Sequence, residues 1–414
     1  MRASIVTIGD ELLLGQVVDT NAHYLSNALK NAGFDVVLRL TLKDTYQELK
    51  SGIAFAESQS EMILMTGGLG PTNDDITKQV LADYFHCSLE ENEKALLMIS
   101  SFLQRKGVKL TANNREQAMI PKAAQVLPNS LGTAPGMWFS NSRIDLISMP
   151  GVPFEMKALM NEYVLPELIR RNSKSIVTKF VLTQGLPESM LAEKIEAWER
   201  DLPNGISLAY LPSPGYIKLR LTAKGSDEMQ IKRIVNQQVN TLYPYIAEYI
   251  LGEDELTLEA LLHNLLIDRK KTLCTAESCT GGTIASKMLH IAGSSALFEG
   301  AFVTYSNKSK VELLGVNADS IRDFGAVSQE VVEQMAVGAR QRLATDYAIA
   351  TSGVAGPSGG TKEKPVGTVW IAWAGKNKVI SKCFQFSDER HVNIERSTNM
   401  AGGQLIKLIN TGNI

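Results

Sequence analysis

Apolar positions along this chain recur with two periods, and the two alternate. Residues 4–8 form a short, mostly apolar run that ends in Gly9-Asp10-Glu11. Residues 20–32 place Ala22, Leu25, Leu29 and Ala32 on one helical face before Gly33 stops the pattern. Residues 34–42 are β-rich, and Tyr46, Leu49, Ile53 and Ala56 then return to helical spacing. Residues 62–66 form a third buried run, ending in Gly67-Gly68-Leu69-Gly70-Pro71. Strand, helix, strand, helix, strand at this spacing predicts parallel strands joined by right-handed crossovers. A later strand, 144–148, ends in Met149-Pro150-Gly151-Val152-Pro153.

The texture changes after residue 171. β-like runs at 175–183, 206–211 and 216–223 combine with predicted helices at 187–198 and 227–242, which reads as a small α+β unit. No cluster in it ties to chemistry, so a spacer or dimerisation role is the favoured reading. Gly252-Glu253-Asp254-Glu255 marks the next boundary. Beyond it, Leu258, Leu261, Leu262, Leu265 and Leu266 form an amphipathic stripe, and a strand at 271–276 leads through a glycine turn into another helix. Strand and helix are expected to keep alternating, with β-like runs at 346–351 and 367–374. The expectation is an α/β protein of three domains. Two layered α/β domains, 1–171 and 252–414, are joined by a small α+β domain at 172–251.

Composition narrows the function classes. The 414 residues carry 42 basic and 44 acidic side chains, so bulk charge gives no reason to expect nucleic acid or an acidic membrane as partner. No apolar run approaches the roughly 20 residues needed to cross a bilayer. The N-terminus reads straight into a strand with no room for a signal peptide, which predicts a cytoplasmic protein. Four cysteines are too few for a disulfide scaffold, and five scattered histidines without a C-x-x-C pair argue against a structural zinc site.

Three successive strand ends carry acids: Asp10 and Glu11, then Asp44, then Asp74 and Asp75. Ligands of open α/β sheets bind at such carboxyl ends. The third end follows Thr66-Gly67-Gly68-Leu69-Gly70-Pro71-Thr72-Asn73, a turn whose backbone N–H groups can approach a phosphate. Carboxylates beside a phosphate cradle suit Mg²⁺-assisted diphosphate chemistry. Asp and Gly after strands are also ordinary turn and cap residues. Three acidic ends together with the turn favour the phosphate–metal site.

A second constellation centres on Thr275-Ala276-Glu277-Ser278-Cys279-Thr280-Gly281-Gly282. The Ser278 hydroxyl lies beside backbone N–H groups that could form an oxyanion hole, but a hydroxyl nucleophile needs a base. No His stands in a suitable motif. Thr304-Tyr305-Ser306-Asn307-Lys308-Ser309-Lys310 offers Lys310, at the expected start of a helix, where burial and the positive dipole end would lower its pKa. Tyr305 could orient either group or the substrate. The bland alternatives are Ser278 as a helix cap and solvated lysines, with Cys279 as a rival nucleophile whose place better suits a small core residue. The glycine-rich stretch 351–360 and residues 386–390 look like parts of the same pocket. Arg390 there could hold a phosphate or be a plain surface charge.

Several of these motifs resemble one family. Gly9-Asp10-Glu11-Leu12, the Thr66–Asp75 turn, Asn114-Arg115-Glu116-Gln117-Ala118, Gly132-Thr133-Ala134-Pro135-Gly136 and Met149-Pro150-Gly151-Val152-Pro153 look like the molybdopterin-binding fold as found in the CinA family (competence/damage-inducible protein A). Ala276–Gly282, Gly300-Ala301-Phe302-Val303-Thr304-Tyr305-Ser306-Asn307, Gly353-Val354-Ala355-Gly356-Pro357 and Lys364-Pro365-Val366-Gly367-Thr368-Val369 look like the CinA C-terminal domain. The resemblance implies two hydrolases of pyridine nucleotide salvage. One cleaves ADP-ribose to AMP and ribose 5-phosphate with a divalent metal (Mg, Mn or Co). The other deamidates nicotinamide mononucleotide to nicotinate mononucleotide and ammonia, with Ser278 as nucleophile, Lys310 as base, and no cofactor.

On that reading Tyr305 joins the catalytic pair, and Thr280, Gly281, Gly282, Gly353 and Arg390 bind the mononucleotide. Gly67, Gly68, Gly70 and Asn21 bind the diphosphate, while Asp10, Glu11, Asp44, Asp74 and Asp75 hold the metal. The expected partners are these nucleotides and a second copy of the chain in a homodimer, not nucleic acid or membrane. The rival readings are a molybdopterin-binding protein and a competence-related regulatory protein, both without turnover.

Overall fold

The structure, a computed structural model, describes every residue except 73, 74, 172–174, 226, 255 and 256. It forms two compact units. One comprises residues 1–177 with 224–232, the other 178–223 with 233–414.

The first unit is built on a six-stranded sheet. Its strands are β1 (Arg2–Ile8), β2 (Asp35–Leu42), β3 (Met62–Thr66), β4 (Gln125–Leu127), β5 (Gly136–Ser140) and β6 (Asp145–Met149), in the order β2-β1-β3-β6-β5-β4. β2, β1, β3 and β6 run parallel, as the alternating pattern predicts, and β5 and β4 add antiparallel at one edge. Every residue of β3 and β6 is buried, because a central parallel strand is covered on both faces. Alternate residues divide between those faces. Ile5 and Leu64 pack with Leu25 and Leu29 of the helix Thr20–Asn31, while Val6 and Met65 pack with Leu49 and Ile53 of the helix Tyr46–Gln59. The pairings Ile8↔Leu42, Thr7↔Thr66 and Thr66↔Met149 align four strand ends, so the turns after them meet.

The second unit has two sheets. The smaller contains β7 (Ser175–Thr183), β8 (Ile206–Ser213), β9 (Tyr216–Gly225) and β10 (Ile250–Glu253), in the order β8-β9-β7-β10. The larger contains β11 (Leu273–Glu277), β12 (Phe298–Val303), β13 (Tyr347–Gly353), β14 (Thr368–Ala374) and β15 (Val379–Gln385), in the order β12-β11-β13-β14-β15. β12, β11 and β13 are parallel, but β14 and β15 are antiparallel to their neighbours. The expected strand–helix alternation therefore stops at β13. A parallel return needs a crossover of a dozen or more residues, usually a helix. Residues 354–367 are too rich in Gly and Pro to form one, and β14 turns into β15 through a tight hairpin closed by the Gly375 N–H on the Lys378 carbonyl (2.8 Å).

Both faces of the larger sheet are covered. The helix Gln329–Leu343 lays Val331, Val332, Met335 and Ala339 on Cys274, Ala276, Ala348 and Ala372, small residues that let it approach closely. On the other face the helices Leu258–Arg269 and Arg390–Asn410 share one core with Trp373 and with Leu182 and Leu251 of the smaller sheet. The Gln184 amide ties the same two parts together, donating to the carbonyls of Gly215 (3.0 Å) and Asn399 (3.1 Å). Among the described residues no helix is long and apolar enough to cross a membrane.

Candidate active site

β11 delivers Glu277, fully buried, to the head of the turn that follows. Its carboxylate accepts from the hydroxyls of Thr275 (3.1 Å) and Thr280 (2.7 Å) and from the N–H groups of Gly282 (3.0 Å), Ile284 (3.1 Å) and Ala285 (2.9 Å). An internal anion thus satisfies the otherwise open N–H groups of the helix Thr283–Leu289, where negative charge is favoured. Gly282 enters that helix at φ +95°, a conformation that suits glycine. Ser278 is therefore not a cap. Its N–H donates to the Thr351 carbonyl (3.0 Å) and its hydroxyl faces Lys310.

Lys310 comes from the helix Asn307–Leu314 and is 1% exposed. Its Nζ lies 3.1 Å from Ser278 Oγ and donates to the carbonyls of Thr304 (2.8 Å) and Tyr305 (3.4 Å). Among the described residues no carboxylate forms an ion pair with it. Burial pushes its pKa below the usual lysine range. Burial is one of the two causes expected from the sequence.

The other expected residues of this site fall in different places. The Tyr305 ring is 65% exposed, and what reaches Lys310 is its carbonyl. The Thr280 hydroxyl is buried between Glu277 and Thr351 (2.7 Å each), so it supports the turn. The N–H of Gly281 is bonded to the Ser278 carbonyl (3.2 Å) and that of Gly282 to Glu277, while among the described residues those of Cys279 and Thr280 have no main-chain acceptor. Gly353 serves the sheet: a Cβ there would lie 2.7 Å from the Thr368 carbonyl. Arg390 is exposed and donates to the Gly356 carbonyl (3.0 Å), closing the glycine-rich loop. The Cys279 thiol is buried, which pushes its pKa up to about 12 and removes it as a rival nucleophile. Sequence reasoning gave Glu277 no role. The signal was present, since an acid at a strand end before a glycine turn is the pattern read as a ligand site in the first unit.

In the first unit the turns after β1, β2, β3 and β6 enclose a pocket of about 390 Å³. Glu11, Asp44, Asp75, Gly67, Gly68 and Gly70 line it, as expected. Gly67 sits at φ +115° with Ile8 against it, where a Cβ would strike the Ile8 carbonyl. Asp75 Oδ2 accepts from the Thr72 N–H (3.0 Å) and hydroxyl, so it shapes the turn while facing the pocket. Asn21 lines an adjoining pocket of about 170 Å³, and its amide donates to the Gly151 carbonyl (2.7 Å) and the Thr66 hydroxyl (3.2 Å).

Two expected metal ligands stand apart from this group. Asp10 is exposed in the short helix Asp10–Leu13 and does not line the pocket, and Asp74 lies outside the described residues. Among the described residues no three His, Cys, Asp or Glu side chains are grouped to hold a metal ion. Three pocket residues were not expected. Glu155 accepts from the Asn129 amide (2.6 Å), and its burial raises its pKa above the usual carboxylate range. Gln117 lines the same pocket, and Lys78 lines a smaller one beside it. Their order in the sequence gave no sign that α-helical and loop residues 78, 117 and 155 would converge.

Comparison with known proteins now bears on both sites. Residues 4–170 match the family described as probable molybdopterin binding domain, 178–252 the damage-inducible protein CinA KH domain, and 255–409 the CinA C-terminal domain. A CinA-like protein of Flavobacterium psychrophilum is 42% identical over 412 residues, covering 99% of each chain. The chain belongs to the CinA family. A second CinA-like protein, from Cytophaga hutchinsonii, is 42% identical over 406 residues, covering 98% of this chain and 97% of its own. A solved structure of a competence/damage inducible protein from Agrobacterium tumefaciens is 39% identical, covers 37% of this chain and 95% of its own, and superposes with a TM-score of 0.36. In this CinA-family chain the Ser278–Lys310 pair lies within the C-terminal match and the acidic pocket within the molybdopterin-binding match. The small sheet falls in the CinA KH match, an assignment more specific than the α+β spacer expected from sequence.

Proposed function

We propose that this CinA-family chain is a bifunctional hydrolase of pyridine nucleotides. Its second unit deamidates nicotinamide mononucleotide and its first cleaves ADP-ribose to AMP and ribose 5-phosphate. The observation that carries the amidase is the buried Lys310 Nζ at 3.1 Å from Ser278 Oγ. Ser278 Oγ attacks the carboxamide carbon as neutral Lys310 takes the hydroxyl proton. Lys310 then returns that proton to the leaving ammonia, and water hydrolyses the acyl-serine to nicotinate mononucleotide. The N–H groups of Cys279 and Thr280 are the donors assigned to the oxyanion. No metal enters this step as proposed.

The first unit's pocket supports the diphosphate half. Its charged residues, Glu11, Asp44, Asp75 and Glu155, are all carboxylates, which suit a hard divalent cation. They do not form a closed cage, and Mg²⁺-type ions commonly take one or two carboxylates and complete their shell with substrate phosphates and water. Glu11, Asp44 and Asp75 are the residues that would hold it. When bound, such an ion neutralises phosphoryl oxygens and lowers the pKa of a water. The chain's own part is to present the glycine turn 67–70 to the phosphates and to hold that turn through Asp75.

One experiment tests both halves: ammonia release from nicotinamide mononucleotide and AMP release from ADP-ribose by the full chain, each with and without EDTA. Ammonia release that survives EDTA and AMP release that does not are the expected results. Ammonia release lost with EDTA overturns the Ser278–Lys310 step. Copurified pterin with no AMP release replaces the diphosphate half by molybdopterin binding.

A further inference from the structure

The Asn114-Arg115-Glu116-Gln117-Ala118 segment has no part in the chemistry above, yet it holds an unmatched donor. Gln117 is 2% exposed and lines both the 390 Å³ pocket and an adjoining one of about 180 Å³. Asn114 Oδ1 is already taken by the Thr111 N–H (3.3 Å) and hydroxyl (2.7 Å). Asn114 therefore turns its NH₂ toward Gln117, whose Oε1 accepts it at 3.4 Å. This fixes which way round the Gln117 amide stands. Among the described residues its Nε2 is buried with no hydrogen-bond partner, a rare and unfavourable condition that a ligand atom would relieve.

The surroundings say what that atom is. Lys78 Nζ donates to the carbonyls of Glu116 (3.2 Å) and Gln117 (3.3 Å), pinning the segment beside Gly70 and Asp75. Burial lowers the Lys78 pKa to about 8, and Asp75 and Glu116 oppose that shift. An acceptor that enters between a glycine turn, a lysine and an amide N–H, in pockets whose other charged residues are carboxylates, is best supplied by a phosphoryl oxygen accompanied by a divalent cation.

We propose that Gln117 is a substrate-binding residue whose Nε2 donates to a phosphoryl oxygen of a nucleoside diphosphate ester, with Lys78 as the positioning residue that holds it there. The inference rests on the diphosphate half of the function proposed above.

The test is calorimetric titration of the full chain with magnesium pyrophosphate, alongside thermal unfolding without ligand. Gln117→Met keeps the side chain's length and removes the unmatched donor together with the oxygen that accepts from Asn114. Its pyrophosphate affinity is expected to fall about tenfold to a hundredfold, the range of a hydrogen bond to a charged group, while a cooperative thermal transition shows that it is folded. Gln117→Glu keeps Oε1 for Asn114 but turns the donor into a negative acceptor, and binding is expected to disappear. Unchanged affinity in either variant overturns the proposal. A wild type that binds no magnesium pyrophosphate overturns the site, even if it releases AMP from ADP-ribose. A wild type that binds magnesium pyrophosphate through Gln117 but hydrolyses no ADP-ribose keeps the site and removes the activity.

Discussion

Lys310 Nζ faces Ser278 Oγ at 3.1 Å while its other two contacts are main-chain carbonyls, those of Thr304 at 2.8 Å and Tyr305 at 3.4 Å. A neutral lysine amine has two N–H bonds and one lone pair. The carbonyls can accept only from the N–H bonds, so the lone pair is left for the Ser278 hydroxyl. The backbone thereby sets the direction in which the base works.

Removing either partner should end the amidase without unfolding the chain. Ser278→Ala and Lys310→Met are each expected to lower kcat for ammonia release by at least about a thousandfold. AMP release from ADP-ribose should be unchanged. Retention of more than about a tenth of the ammonia release in Ser278→Ala would assign the nucleophile elsewhere.

The pH profile follows from the sign of the Lys310 shift. Only the neutral amine accepts the proton, so kcat/KM for ammonia release should rise with pH through the lowered pKa and level off below 10.5, the ordinary lysine value. Stability moves the same way. Below 10.5 the unfolded chain binds a proton that the native chain resists, so this residue's contribution is fully present above 10.5 and is lost as pH falls through the native value. Lys310→Met should therefore unfold at a higher temperature than the wild type at pH 7, and the gap should shrink as pH rises toward 10.5.

Glu277 is the structural counterpart of that pair. Glu277→Gln keeps the shape but replaces an acceptor oxygen with a donor that faces backbone N–H groups. Two or more of its five hydrogen bonds are lost inside the core, for a destabilisation of about 3 kcal/mol. Urea unfolding would show it as a lower midpoint, and a midpoint equal to the wild type would mean that the anion does not hold the turn.

Gly67→Ala separates the two sites. The added Cβ meets the Ile8 carbonyl at a backbone conformation that disfavours alanine, for a loss of about 1–3 kcal/mol. AMP release should drop steeply while ammonia release per folded molecule stays at the wild-type level. Equal loss of both activities would contradict two independent sites.

The sequence revealed the parallel sheet of the first unit because its central strands are unbroken apolar runs and its helices repeat at 3.6 residues. Ser278, Lys310 and the 67–70 turn were legible for a related reason: each stands at a strand end or helix start that the same patterns locate. Residues whose role depends on packing were not legible. Thr280 and Gly353 sit in the right motifs but face inward, and Tyr305 contributes an atom every residue has. Gln117, Lys78 and Glu155 reach two adjoining pockets from three separated segments, a convergence that no local spacing encodes. The antiparallel β14–β15 edge escaped notice because β14 is as apolar as a parallel strand while β15 mixes polar with apolar residues, and the loop before β14 and the short hairpin after it set their direction.

The Gln184 bridge gives the smaller sheet a part in the integrity of the amidase unit. Gly403 has no room for a side chain because the Gln184 amide fills the space above it, and Lys407 donates to the Gln184 carbonyl at 2.9 Å. The same helix that begins beside the Gly356 loop is thus buttressed, three turns later, by a residue more than two hundred positions earlier in the chain. Cutting the chain near residue 252 would leave a glycine-faced groove and an uncovered lysine on that helix. A free-standing form of this unit would need a bulkier residue where Gly403 now stands, whereas Gly402 stays covered by Leu258.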